Sequence, residues 1–217
     1  MSCTKPRILK ADGQVCDPAT ICSAVEALAR GQLVILPTDT VYGLACRADD
    51  EAAVIHLFES KRRPLTKPLP LLLASAEALV GVALGLDENI LRLARQFWPG
   101  PLTIVIRKSP SVSDTVTAGG PTVGVRVPDL PLTQAILEAA RFPVAVTSAN
   151  FSDEDPACSM DDLPRDLLAQ VCLVIEAGSC PGMTPSTVVD VTQTPPRVLR
   201  PGPVSDEQIR AALSASL

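Results

Sequence analysis

The sequence predicts a single α/β domain, a twisted mixed sheet flanked by helices. Short runs of Val, Ile and Leu, bounded by Pro, Gly or polar clusters, alternate with longer stretches of helical period. The alternation is imperfect, which favours a mixed sheet over a doubly wound parallel one. Hydrophobic residues make up 47% of the chain and aromatics only 3%, so the core must be aliphatic. Nothing resembling a linker divides the chain. Residues 1–217 are therefore expected to form one domain, with a core spanning about 14–204.

The elements follow in order. Ile8-Leu9 reads as a short strand. Asp17-Pro18 supplies an N-cap and a first-turn proline, Ile21, Ala24, Val25 and Leu28 form the buried face of a helix, and Gly31 follows its end. Leu33 to Leu36 is a buried strand that Pro37 stops. A second helix starts at Asp50, has Val54, Ile55, Leu57 and Phe58 on an apolar face, and ends before Pro64. Leu69 to Leu73 reads as a strand, Ser75 to Val80 as a short helix, and Asp87 to Phe97 as a longer one. Trp98-Pro99-Gly100-Pro101 breaks the chain before the strand Leu102 to Ile106. Residues 109–121 are polar and Gly-containing, and are expected to be a mobile loop. Thr122 to Val127 alternates as a strand, Leu132 to Ala140 is helical, and Val144 to Thr147 is a strand. An acidic connector covers 151–166. Strands at Cys172 to Ile175 and Thr187 to Val191 flank a loop over 178–185, and Arg197 to Arg200 is extended. Ser205 and Gln208 form a capping box for a last helix.

Composition excludes several functions. A formal charge of −5 and a pI near 4.9 argue against a broad nucleic-acid surface, although a local cationic patch remains compatible. The seven Cys are odd in number and no two are spaced C-x-x-C, which fits reduced thiols in a cytoplasmic protein. His56 is the single histidine, so a zinc site is not expected. The N-terminal stretch is too polar for a signal peptide, and no apolar run is long enough to span a membrane.

The stretch 33–67 concentrates the chemistry. Thr38, Asp39, Thr40 and Tyr42 leave the end of a strand, as either a capped turn or a polar nest for a small hydrophilic ligand. Lys61, Arg62, Arg63 and Lys67 leave the end of the next helix, where dense positive charge suggests an anion, most plausibly phosphate. Arg126 lies inside a strand and wants a carboxylate or phosphate partner, internal or bound. Thr122 falls on the same strand face. Thr147, Ser148 and Asn150 end another strand, Ser186 opens one, and Arg200 precedes Pro201-Gly202. No Ser-His-Asp set, metal cluster or carboxylic dyad stands out. That fits a reaction needing no protein nucleophile, such as adenylyl transfer.

PTDTVYGL at 37–44, SKRRP at 60–64, TSAN at 147–150, STVVD at 186–190 and LRPG at 199–202 resemble, in the same order, the YrdC/TsaC family of L-threonylcarbamoyladenylate synthases. The resemblance implies an open YrdC-like fold with a concave cationic pocket. It implies that L-threonine, bicarbonate and ATP give threonylcarbamoyl-AMP and pyrophosphate, with Mg2+ carried on the ATP and no metal ligand from the protein. It assigns Lys61, Arg63, Lys67, Thr122, Ser148, Asn150 and Arg200 to ATP. Thr38, Thr40, Tyr42, Arg126, Thr147 and Ser186 fall to threonine, and no residue is assigned as a nucleophile. The product would serve tRNA adenosine-37 through a separate threonylcarbamoyl transferase, in the cytoplasm and away from membranes.

The chain departs from the family at three places. Phe151-Ser152-Asp153 replaces the usual Asn-x-Ser-Gly continuation, Leu72 stands where many members have His, and Pro185 where Glu is commoner. The alternative reading is a double-stranded RNA or tRNA-binding module of the same type; acidic pI and few aromatics weigh against it. A hydrogenase-maturation role is disfavoured by the lack of zinc-finger or acylphosphatase segments.

Overall fold

A computed structural model describes residues 5–214. In chain order the elements are β1 (Arg7–Lys10), α1 (Pro18–Ala29), β2 (Val34–Leu36), β3 (Gly43–Arg47), α2 (Glu51–Ser60), β4 (Leu71–Leu72), α3 (Leu79–Val82) and α4 (Glu88–Phe97). There follow β5 (Leu102–Arg107), α5 (Asp114–Thr117), β6 (Thr122–Arg126), α6 (Pro131–Ala140), β7 (Val144–Ser148), α7 (Arg165–Leu168), β8 (Leu173–Glu176), β9 (Thr187–Asp190), β10 (Arg197–Arg200) and α8 (Asp206–Ser214). All ten strands join one sheet in the order β1-β8-β2-β3-β7-β4-β6-β5-β9-β10. It is mixed: β1, β2 and β8 run parallel to one another, as do β4 with β6 and β5 with β9, while the remaining pairs are antiparallel.

Strand alternation divides the core in two. Val34 and Leu36 of β2 pack with Leu28 of α1, Ile136 of α6, and Val144 and Val146 of β7 on one face. Ile35, from the same strand, packs with Leu57 and Phe58 of α2 on the other. The second face continues under α4 and α8 through Ile104, Val125 and Val189. Thr103, Val105, Gly124 and Arg126 alternate with those core residues and so look out from the opposite face, beyond the helices α1 and α6. The concave hollow described below lies on that bare half of the sheet.

Capping follows the sequence closely. Asp17, Asp50 and Asp87 each accept from a backbone N–H three residues on, at 2.8, 3.1 and 2.9 Å. Ser205 and Gln208 exchange both bonds of a capping box. Two segments need correction. Residues 43–47, to which the sequence pattern assigns no element, are a central strand; the leading Gly43 and the short Leu44-Ala45-Cys46 run disguised it. The segment 109–121 is not a plain loop: α5 buries Val116 and Thr117, and Leu69 N–H donates to the Val116 carbonyl at 2.8 Å.

Candidate active-site cleft

A hollow of about 330 Å³ opens on the bare half of the sheet. Its floor is apolar: Leu72, Val105, Val146 and Val188 lie across four strands, with Pro70 beside Gly124. The strand is closely packed there: a Cβ on Gly124 would stand 3.2 Å from the Thr103 methyl and 3.5 Å from Pro70. Polar side chains form the walls. Arg63, Ser148 and Arg200 lie among them, as do Thr38, Thr40, Arg126, Thr147 and Ser186. The topology thus gathers into one cavity eight of the thirteen residues that the family resemblance assigned to ATP or threonine.

Arg63 and Arg200 have an unusual environment. The Arg63 Nε and Nη2 groups donate to the carbonyls of Lys67 and Pro68 at 3.1 and 2.9 Å. The Arg200 Nε and Nη2 groups donate to the Ser186 carbonyl at 3.1 and 2.7 Å. Carbonyls orient both guanidiniums, but neither pairs with a carboxylate among the described residues. Burial pulls both below the ordinary arginine range; at Arg63 the Asp153 carboxylate opposes this and the charge of Arg200 adds to it. Oriented guanidiniums without a carboxylate in direct contact, facing one hollow, make a site for an anion.

Arg126 is held differently. It forms an ion pair with Asp39, donates to Thr40 Oγ1 at 2.8 Å and to the Gly100 carbonyl at 2.9 Å, and is almost fully buried. Burial lowers its pKa and Asp39 opposes that. Arg126 thus has an internal partner, and it also lines the hollow. Asp39 also accepts the Asp129 N–H at 3.0 Å, so it fixes the guanidinium rather than facing the cleft freely. Thr38 closes a local turn: its hydroxyl accepts from Thr40 N–H and Val41 N–H, both at 3.1 Å, and donates to the Val41 carbonyl at 2.6 Å. The capped-turn reading is correct for its hydroxyl, although the residue still borders the hollow.

Five expected contacts do not reach the cavity wall directly. Tyr42 is fully buried; its hydroxyl donates to the Gly178 carbonyl at 2.7 Å and accepts Ala177 N–H at 3.0 Å. It joins the core and does not line the hollow. Lys61 is 1% exposed, and its ammonium donates to the carbonyls of Ser148 and Asn150 and to Asn150 Oδ1. Asn150 is consumed in the same knot: Oδ1 also accepts from Ser148 Oγ, and Nδ2 donates to the Glu154 carbonyl. Lys61 and Asn150 therefore lock the 148–150 turn from behind. Lys67 sits at the rim and pairs with Asp153 at 2.7 Å. Thr122 shares the strand face of Arg126 but borders a neighbouring hollow with Arg107 and Thr192.

Sequence reasoning missed Thr103, whose hydroxyl lies 2.8 Å from Ser186 Oγ inside the cavity. Its signal was present: one polar residue on the alternate face of the apolar run LTIVIR. The apolar floor carried no such signal, because its members read as ordinary core.

The family model Sua5/YciO/YrdC, described as "Telomere recombination", matches residues 26–202. A threonylcarbamoyl-AMP synthase of Pyrococcus abyssi is 39% identical over 183 residues, covering 84% of this chain and 54% of its own length. A putative threonylcarbamoyl-AMP synthase of Mycobacterium tuberculosis is 38% identical, covering 89% of this chain and 88% of its own length. The chain thus spans about half of the first relative and most of the second. The crystal structure of P. abyssi Sua5 complexed with L-threonine superposes with a TM-score of 0.91 at 36% identity, covering 96% of this chain and 61% of that one. With the matched segment, the shared fold and the relatives' identity all in agreement, this chain belongs to the Sua5/YciO/YrdC family.

Proposed function

We propose that the cleft makes threonylcarbamoyl-AMP and pyrophosphate from L-threonine, bicarbonate and ATP. The observation that carries this is the pair Arg63 and Arg200, two oriented guanidiniums without carboxylate partners facing one hollow. The names of the relatives and the threonine-bound P. abyssi structure support the choice of substrates.

The chemistry needs approximation rather than a protein nucleophile. The threonine amine adds to the carbon of CO2 derived from bicarbonate and loses a proton, giving a carbamate. A carbamate oxygen then attacks the α-phosphorus of ATP; the new P–O bond forms as the bond to pyrophosphate breaks. Both partners are anions. Arg63 and Arg200 offset their repulsion and fix the phosphates, acting where charge develops. Lys67 extends this field at the rim, while Lys61 and Asn150 act through the turn that presents Ser148. Arg126, held by Asp39, and the Thr40, Thr147 and Ser186 hydroxyls would take the small amino acid. Mg2+ enters on ATP as part of the substrate. The product would pass to a separate transferase that modifies tRNA adenosine-37, in the cytoplasm; among the described residues no helix is long and apolar enough to cross a membrane.

The test is pyrophosphate release with each amino acid in turn, with and without bicarbonate. Release should require L-threonine and bicarbonate together, and Arg63→Ala should abolish it. Release independent of both co-substrates would refute the proposal.

A further inference from the structure

The acidic segment that follows Asn150 is fastened to the turn after α2. Ser152 N–H donates to the Lys61 carbonyl at 3.0 Å, and the Arg62 guanidinium lies 4.3 Å over the Phe151 ring. These contacts deliver Asp153 to Lys67, whose ammonium meets both carboxylate oxygens, at 2.7 and 2.9 Å. Asp153 does so from a left-handed backbone, φ 69°, a conformation that L-residues other than Asn and Asp seldom adopt. Its field also reaches Arg63, whose cationic form it favours. Lys67 and then Arg63 hold the Asp153 carboxyl below the usual carboxylate range, so it remains an anion at neutral pH. The Asp153 side chain is 79% exposed, and a pair so exposed contributes little to the fold. Its consequence falls on whatever anion approaches the same cations.

We infer that Asp153 is a built-in counter-ion at the rim of the phosphate cradle, which a nucleotide phosphate must displace from Lys67, and which thereby sets nucleotide affinity. The inference rests on the reading of the cleft as an ATP site. A phosphate arriving at Arg63 meets a neighbouring cation already half neutralised. Displacing the carboxylate returns it to water at small cost, because it is exposed. The contact is thus an affinity regulator rather than a barrier, and it weakens the dependence of binding on Lys67.

Calorimetric titration of MgATP, and separately of inorganic tripolyphosphate, tests this on the wild type, D153N, D153G, K67A, R63A and K67A/D153N. Asn tolerates the left-handed backbone, so D153N removes charge alone, whereas D153G also relieves the backbone. D153N should tighten both ligands about threefold, the scale of an exposed ion pair. In the K67A background the same substitution should have an effect of less than about twofold. Unchanged or weaker binding by D153N would overturn the inference, as would tightening by D153G alone. Weakening of MgATP but not of metal-free tripolyphosphate would make Asp153 a metal ligand instead, and also overturn it. Wild-type binding that R63A abolishes but D153N leaves unaltered would refute the counter-ion and leave the ATP site standing. No binding of either ligand by any protein would refute both.

Discussion

Lys61 shows how a residue read from a motif changes role once its surroundings are known. Burial lowers its pKa to about 7 against the pull of three acceptors that match the three hydrogens of an ammonium. In the unfolded chain the same group titrates near 10.5. Between these values the unfolded state binds a proton that the folded state does not, so stability rises with pH across that window, by about 1 kcal/mol per pH unit. Urea unfolding at pH 7, 8 and 9 should show this rise. Lys61→Met should flatten it and should cost about 2 kcal/mol at pH 7 through the acceptors left unpaired. Arg126 makes the complementary case. Arg126→Met would strand the Asp39 carboxylate, which is 11% exposed, and should lower stability by about 3 kcal/mol, read as a shift in urea midpoint. Its effect on catalysis should fall on the threonine KM more than on the ATP KM.

At the scale of elements, the cleft depends on loops fixed by close backbone approach. Gly202 ends the run that carries Arg200, and a Cβ there would stand 2.5 Å from Thr187 N and 2.6 Å from the Pro185 carbonyl, both backbone atoms that cannot turn away. Gly202→Ala must therefore push β10 off Ser186 and move Arg200 with it. We expect ATP affinity to fall at least about tenfold and stability to drop by about 2 kcal/mol, measured by calorimetry and urea unfolding. Gly182 has the same problem against the Asp39 carbonyl, at 2.6 Å, which ties the 178–185 loop to the turn that orients Arg126. Helix starts were legible because Asp17, Asp50 and Asp87 announce themselves by local hydrogen bonding. Strand β3 was not, because five residues beginning with Gly satisfy their backbone only by pairing with β2 and β7, and a local pattern does not show which strands will lie side by side.

Across the whole molecule, an acidic protein concentrates positive charge at one place. Arg63, Arg126 and Arg200 come from distant parts of the chain, and their charges act on one another only because β6, β9 and β10 share a sheet with the strands around α2. A ligand gripped by all of these parts binds the folded state alone. ATP at about one hundred times its Kd should then stabilise the protein by about 2.7 kcal/mol. For a chain of this size that is a rise in Tm of roughly 5–10 °C. The double substitution Arg63→Ala and Arg200→Ala should abolish the ATP shift in scanning calorimetry while moving the unliganded Tm much less.

The sequence by itself determined the α/β class, the aliphatic core, most helix boundaries and the identity of the motif residues. Each of these rests on period, capping or residue type within a few positions, and such signals survive in one dimension. Tertiary structure alone decided which motif residues face the cleft. Thr40 and Tyr42 are two apart in the chain, yet one borders the hollow and the other fills the core. Lys61 and Arg63 share a motif, yet one braces the 148–150 turn and the other stands open to an anion. The direction of a side chain depends on which strand lies beside it and on which distant acceptor reaches it first, and neither is written in the local sequence.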